Sequence, residues 1–227
     1  MFDAKRLLDQ FTGTGGQDLG RLLEGKKGLA TGAVAGGLAT YLLAGKKPKK
    51  VAQQALTYGG LALIGGLAYK AWRDHQAGKS PQVPAGEEPV AVPPAGETRF
   101  LPNTPAEQDE VGRALLRAMI AAAKADGHID ADEQRRIFQR IETLDLDVDD
   151  KAFVFEELSR PLDVNAVAAG ATSPELAAEI YAASLLAIDA DGPAERGYLA
   201  MLAARMQLPD DLVAHLHAKV DAATEPA

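Results

Sequence analysis

From residue 106 to residue 224 the apolar residues recur at helical spacing, and no stretch alternates as a half-buried strand would. Val111, Leu115, Met119 and Ala122 share one face of a first helix, and Ile137, Ile141 and Leu144 one face of a second. Phe153, Phe155 and Leu158 mark a short third helix with Pro161 beyond it, and Val164, Val167 and Ala168 a fourth. Ser173-Pro174-Glu175 opens a fifth, because serine caps a helix start and proline suits the first helical position. That helix runs through Ile180, Tyr181 and Leu185 to Ile188. Leu199, Leu202 and Met206 carry a sixth, and Leu212, Leu216 and Val220 a seventh. Seven helices of this kind bury enough apolar surface to predict an independent all-α domain, a seven-helix bundle, over residues 106–224.

The chain before it differs in kind. Residues 1–79 hold 12 Lys and Arg against 5 Asp and Glu, whereas residues 80–227 hold 12 against 27. A basic front and an acidic back are thus hidden in a net charge of −8. The front suits an anionic surface. The back has too few clustered cations to hold phosphates, so no nucleic-acid partner is expected.

Residues 28–45 and 51–69 carry no charge, and each is close to the roughly 20 residues that cross a bilayer. Lysine pairs bracket the first, while Lys70, Trp72 and Arg73 follow the second. Gly28, Gly32 and Gly36 recur every fourth residue, the small-residue spacing that lets helices pack closely and form homo-oligomers. Residues 1–79 therefore read as a membrane-anchoring region of one or two helices with membrane lipid as a partner. Seven of the thirteen prolines fall within residues 80–105, which read as a semi-extended linker. The absence of cysteine excludes disulfides and thiolate chemistry. It is consistent with termini and a C-terminal domain on the cytoplasmic side of the membrane.

One acidic motif occurs twice between helical patterns. Residues 124–133 read Lys-Ala-Asp-Gly-His-Ile-Asp-Ala-Asp-Glu, and residues 188–195 read Ile-Asp-Ala-Asp-Gly-Pro-Ala-Glu. Turn chemistry explains several of these residues without any ligand. Gly127 suits a helix stop, Asp130 with Glu133 suits a capping box, and Gly192-Pro193 ends one helix and starts another. Asp126, Asp189 and Asp191 are left over. The reading places them in the last turns of their helices, where the carbonyl ends disfavour an anion. A nearby cation would relieve that. Lys124, the Arg135-Arg136 pair and a bound divalent metal are the three choices, and all-oxygen ligands point to Ca²⁺, Mg²⁺ or Mn²⁺.

These two motifs, the first following an apolar helix, resemble the TerB-like domain family, all-helical bundles associated with tellurite resistance and bacterial stress. With the Gly-rich apolar front, the whole layout resembles the YebE-type inner-membrane branch of that family. The resemblance implies an acidic metal-binding surface. Carried over by position, its ligands are Asp126, Asp130, Glu133, Asp191 and Glu195, with Asp132 and Asp189 secondary. The second corner is three residues shorter when Glu133 is matched to Glu195. The resemblance brings no reaction with it.

Other constellations are weaker. Asp145, Asp147 and Asp149 begin an EF-hand-like spacing, but Asp150 stands where glycine is required. His215 and His217 are two apart on a helix and read as surface residues. No nucleotide cradle, zinc-protease helix or nucleophile elbow is present. The expectation is a bacterial inner-membrane protein that is not an enzyme. Its helical domain would bind a divalent cation, a protein partner or both in a stress response. The alternatives are a glycine-zipper membrane oligomer with a passive helical domain, and a metal-dependent hydrolase.

Overall fold

The computed structural model describes residues 3–12, 59–81, 98–125, 148–188 and 192–224. Among them are eight helices and no strand: α1 Ala4–Thr12, α2 Gly60–Gln76, α3 Pro105–Ala123, α4 Val148–Ser159, α5 Val164–Ala168, α6 Pro174–Ala187, α7 Pro193–Arg205 and α8 Asp210–Thr224. The all-α class expected from periodicity is therefore observed. The Ile137–Leu144 pattern lies outside the described residues.

Local chemistry sets several boundaries. Thr104 accepts from the Glu107 amide while the Glu107 carboxylate accepts from the Asn103 and Thr104 amides, a complete capping box with Pro105 at the first helical position. Asp163 caps α5 and Ser173 caps α6, again ahead of a proline. Every residue of α6 from Leu176 to Ala187 is buried, so α6 is the central helix. It packs against α2, α3, α7 and α8.

The front of the chain belongs to this same core. Leu7 and Leu8 of α1 and Leu63, Ile64 and Leu67 of α2 sit in one apolar cluster with Leu115, Ile180, Leu202 and Leu216. Three hydrogen bonds fix α1. The Asp3 amide donates to Asp150 at 2.8 Å, the Ala4 amide to Asp109 at 3.2 Å, and Asp9 accepts from the Gly60 amide at 2.8 Å. Gly112 lets α1 and α3 touch, since a Cβ there would stand 2.6 Å from that of Ala4.

This corrects the inner-membrane localisation. Among the described residues no helix is long and apolar enough to cross a membrane. The described end of the 51–69 stretch is the first half of α2, which buries its apolar residues against protein. A fully buried core helix and a lipid-facing one make the same demand on side chains, and an uncharged run does not separate them. The second half of α2 carries Lys70, Arg73 and Asp74. Tyr69 and Trp72, expected at a membrane interface, instead stand edge-on to Phe100 at 5.8 and 6.0 Å between ring centroids. Residues 28–45, with Gly28, Gly32 and Gly36, lie outside the described residues. The 80–105 segment is not wholly a spacer, because Phe100 and Leu101 are buried in the domain.

Candidate functional site

The ends of α3 and α6 decide where the acidic motifs emerge. The N-terminal turns of both helices line one cavity, through Glu107, Glu110 and Val111 on α3 and Leu176 and Glu179 on α6. The two helices also pack along each other more extensively than any other pair among the described elements. They therefore run in the same direction, and their C-terminal ends, at Ala123 and Ala187, lie at the same end of the helix pair.

Of the expected ligands, Glu195 alone lies among the described residues; Asp126, Asp130, Glu133, Asp189 and Asp191, with the secondary Asp132, lie outside them. Glu195 occupies the first turn of α7, and its carboxylate folds back over Gly192. A Cβ at Gly192 would come within 1.8 Å of Glu195 Oε2, so the missing side chain makes room for that carboxylate. The helix start favours its negative charge. No group of three His, Asp or Glu among the described residues could hold a metal ion.

The helix ends fall earlier than expected. α3 closes at Ala123 with Lys124 as its cap, and α6 closes at Ala187 with Ile188 already extended at φ −133°. The described helices end before Asp126, Asp189 and Asp191 in the sequence, and those three lie outside the described residues. Lys124, one of the three candidate counter-cations, reaches the end of α4. Its Nζ donates to the carbonyl oxygens of Glu157, at 3.1 Å, and Arg160. It neutralises the carbonyl end of α4, where a cation is favoured. Burial, opposed by the Glu157 charge, lowers its pKa. Beside it Glu157 gathers Arg117 Nη2 at 2.8 Å and Arg160 Nη1 at 3.0 Å around one carboxylate oxygen. This cluster ties α4 to α3.

At the opposite end of α3 and α6 the shared cavity has a volume of about 470 Å³. Leu101 and Pro102 from the segment before α3 join Val111 and Leu176 as its apolar walls. Two polar groups in it are already used, since Glu107 completes the α3 capping box and Ser173 caps α6. Glu179 is different. It is 1% exposed, and its Oε1 has no hydrogen-bond partner. Thr98 Oγ1 is likewise buried without a partner. Burial, and then the nearby Glu175 charge, hold the Glu179 carboxyl well above the usual carboxylate range. The signal was present in the sequence, because Glu179 is the one charged residue between Leu176 and Ile188.

Of the two histidines read as surface residues, His215 is buried and His217 is half-buried. His215 is buried beside His75, with ring centroids 6.2 Å apart, and His217 Nε2 lies 3.1 Å from the Tyr181 hydroxyl. Burial, opposed by Asp221, lowers the His217 pKa.

Among the described residues the fold is an all-helical domain with carboxylates gathered at the N-terminal end of its central helix pair. The chain belongs to a family described as a protein of unknown function, DUF533, which it matches over residues 28–220. It is also similar to a protein of Yersinia enterocolitica described as an uncharacterized protein in the ampR 5' region. The two are 32% identical over 104 residues, covering 46% of this chain and 75% of that protein. No solved structure matches the chain.

Proposed function

We propose that this chain is a TerB-like binding module whose two acidic corners together take a divalent cation, a basic protein partner or both. The supporting observation is the common direction of α3 and α6, whose C-terminal ends each immediately precede one of the two motifs in the sequence. Carboxylates drawn from two corners supply the several oxygen ligands that Ca²⁺, Mg²⁺ or Mn²⁺ needs and that one corner lacks. The same concentration of negative charge attracts a basic partner surface. Bacterial stress response is the setting that the resemblance implies. No reaction is assigned to the chain.

Calorimetric titration of the full chain with Ca²⁺, Mg²⁺ and Mn²⁺ tests the metal, with Asp126→Asn/Asp191→Asn as the comparison. Binding that the double variant loses supports a shared site. Absence of heat and of a thermal shift at millimolar metal removes the cation and leaves the basic partner.

A further inference from the structure

A different observation, independent of the acidic corners, concerns the cavity at the N-terminal ends of α3 and α6. We propose that this cavity binds a small primary alkylamine, with the ammonium group seated on Glu179 and the carbon chain lying along Leu101, Val111 and Leu176.

The site is built from the core outwards. Glu179 sits on the central helix, and its Oε1 lies against Gly65 of α2. A Cβ at Gly65 would stand 3.1 Å from that oxygen and 2.4 Å from the Phe100 carbonyl oxygen. The carboxyl thus packs against the backbone at Gly65, and Glu179 is among the residues that line the cavity. Burying a carboxyl without a partner costs about 1–3 kcal/mol, so this arrangement is not explained by stability. Of the residues lining the cavity, Glu179 Oε1 and Thr98 Oγ1 are buried without a partner, an acceptor and a hydroxyl. They call for a ligand that donates hydrogen bonds.

The surrounding charges favour a cation. From α3, Glu107 and Glu110 line the cavity; from the preceding segment comes Arg99; on α6 itself Glu175 lies one turn before Glu179. Arg99 Nη1 lies 3.7 Å from Glu175 Oε1, and that arginine side chain is 80% exposed. It offsets one rim carboxylate and leaves the inner one unneutralised. A divalent metal fits poorly, because no three carboxylates or histidines among the described residues converge. A volume of about 470 Å³ lies within the usual range for small-molecule sites and far exceeds what one ion fills. The apolar walls then select methylenes behind the ammonium.

Binding moves a proton. Burial and the Glu175 charge make Glu179 hold its proton to higher pH than an ordinary carboxyl; where it is protonated it releases that proton to solvent as the ammonium arrives and accepts a charge-assisted hydrogen bond in return. Affinity therefore rises with pH through the raised carboxyl pKa and falls again as the amine loses its charge near pH 10.

The test is calorimetry of the full chain with putrescine and with n-butylamine, at about pH 6 and about pH 8 in buffers of different ionisation heat. The expected result is binding with uptake of a proton by the buffer, tighter at the higher pH. Glu179→Gln should weaken it at least tenfold, roughly the value of one charge-assisted bond. Thr98→Val, a near-isosteric change, should weaken it by a smaller factor. Asp126→Asn/Asp191→Asn should leave it unchanged, which separates this site from the acidic corners. No heat from either amine at about 10 mM, weaker than any useful site, or equal binding by wild type and both cavity variants, overturns the proposal.

Discussion

Lys219 of α8 donates to Asp74 of α2 at 2.9 Å, and the two side chains are 5% and 6% exposed. The pair welds the last helix to one that the sequence assigned to a membrane. Lys79 reaches the other carboxylate oxygen at 2.9 Å, but its own side chain is mostly in solvent. Removing the buried acid should therefore take from Lys219 the carboxylate that balances its buried charge. Asp74→Ala is expected to cost about 3–5 kcal/mol in chemical denaturation, whereas Lys79→Ala should cost about 1 kcal/mol or less. Equal effects from the two would mean that burial of the pair is unimportant.

The same carboxylate sets an acid limit. Burial raises its pKa, but hydrogen bonds and charge from Lys219 and Lys79 outweigh burial and bring it from 3.8 to about 2. A depressed acid stabilises the fold above its unfolded pKa. That contribution is lost as pH falls from about 4 towards 2. Wild type should lose stability over that window. Asp74→Asn, already weaker at neutral pH, should lose less, as judged by denaturation midpoints.

Close approaches at two glycines test whether the front of the chain is part of the core. A methyl at Gly65 would meet the Phe100 carbonyl oxygen at 2.4 Å, and one at Gly112 would meet the Ala4 methyl at 2.6 Å. Gly65→Ala and Gly112→Ala should each destabilise by about 1–3 kcal/mol through overpacking. Gly197, within α7, has nothing within 4 Å, so Gly197→Ala should stabilise by up to about 1 kcal/mol through helix propensity. A gain from alanine at all three positions would show that α1 and the 98–101 segment are not held where described.

Lys124→Met keeps an apolar stem but removes the cation from the carbonyl end of α4. The expected loss is about 0.5–2 kcal/mol, measured by thermal unfolding, with metal titrations unchanged. If metal affinity instead rose, Lys124 would be serving the acidic corner after all.

What was legible in the sequence followed from local rules. Ser173-Pro174 marked the start of α6 because cap and proline act within one turn, and Gly192-Pro193 marked α7 in the same way. Thr104 and Glu107 form the same kind of signal for α3, but Pro102 and Pro105 beside them give the segment the composition of a linker. What failed depended on tertiary context. A charge-free run such as 59–69 states that its surroundings are apolar and leaves open whether they are protein or lipid. His215 looked exposed from spacing alone, because its burial depends on α2 arriving from about 140 residues away in sequence. Of the acidic corners, Glu195 and the flanking residues alone lie among the described residues, and Lys124 neutralises the carbonyl end of α4, a role its place beside an aspartate did not suggest.

Glu179 offers a stability test that needs no ligand. Its carboxyl is held well above the ordinary carboxylate range by burial and by Glu175. A raised acid binds its proton more tightly in the folded state than in the unfolded one. Its contribution is complete below the unfolded value, 4.5, and is lost as pH rises through the folded value. Wild type should therefore weaken relative to Glu179→Gln as pH increases from 4.5 into the neutral range, because glutamine keeps the shape and carries no proton to lose. The comparison is a pair of denaturation series over pH, read as the difference between the two proteins. Two parallel curves would mean that Glu179 is ionised and satisfied in the folded state, and the cavity would lose its unpaired acid.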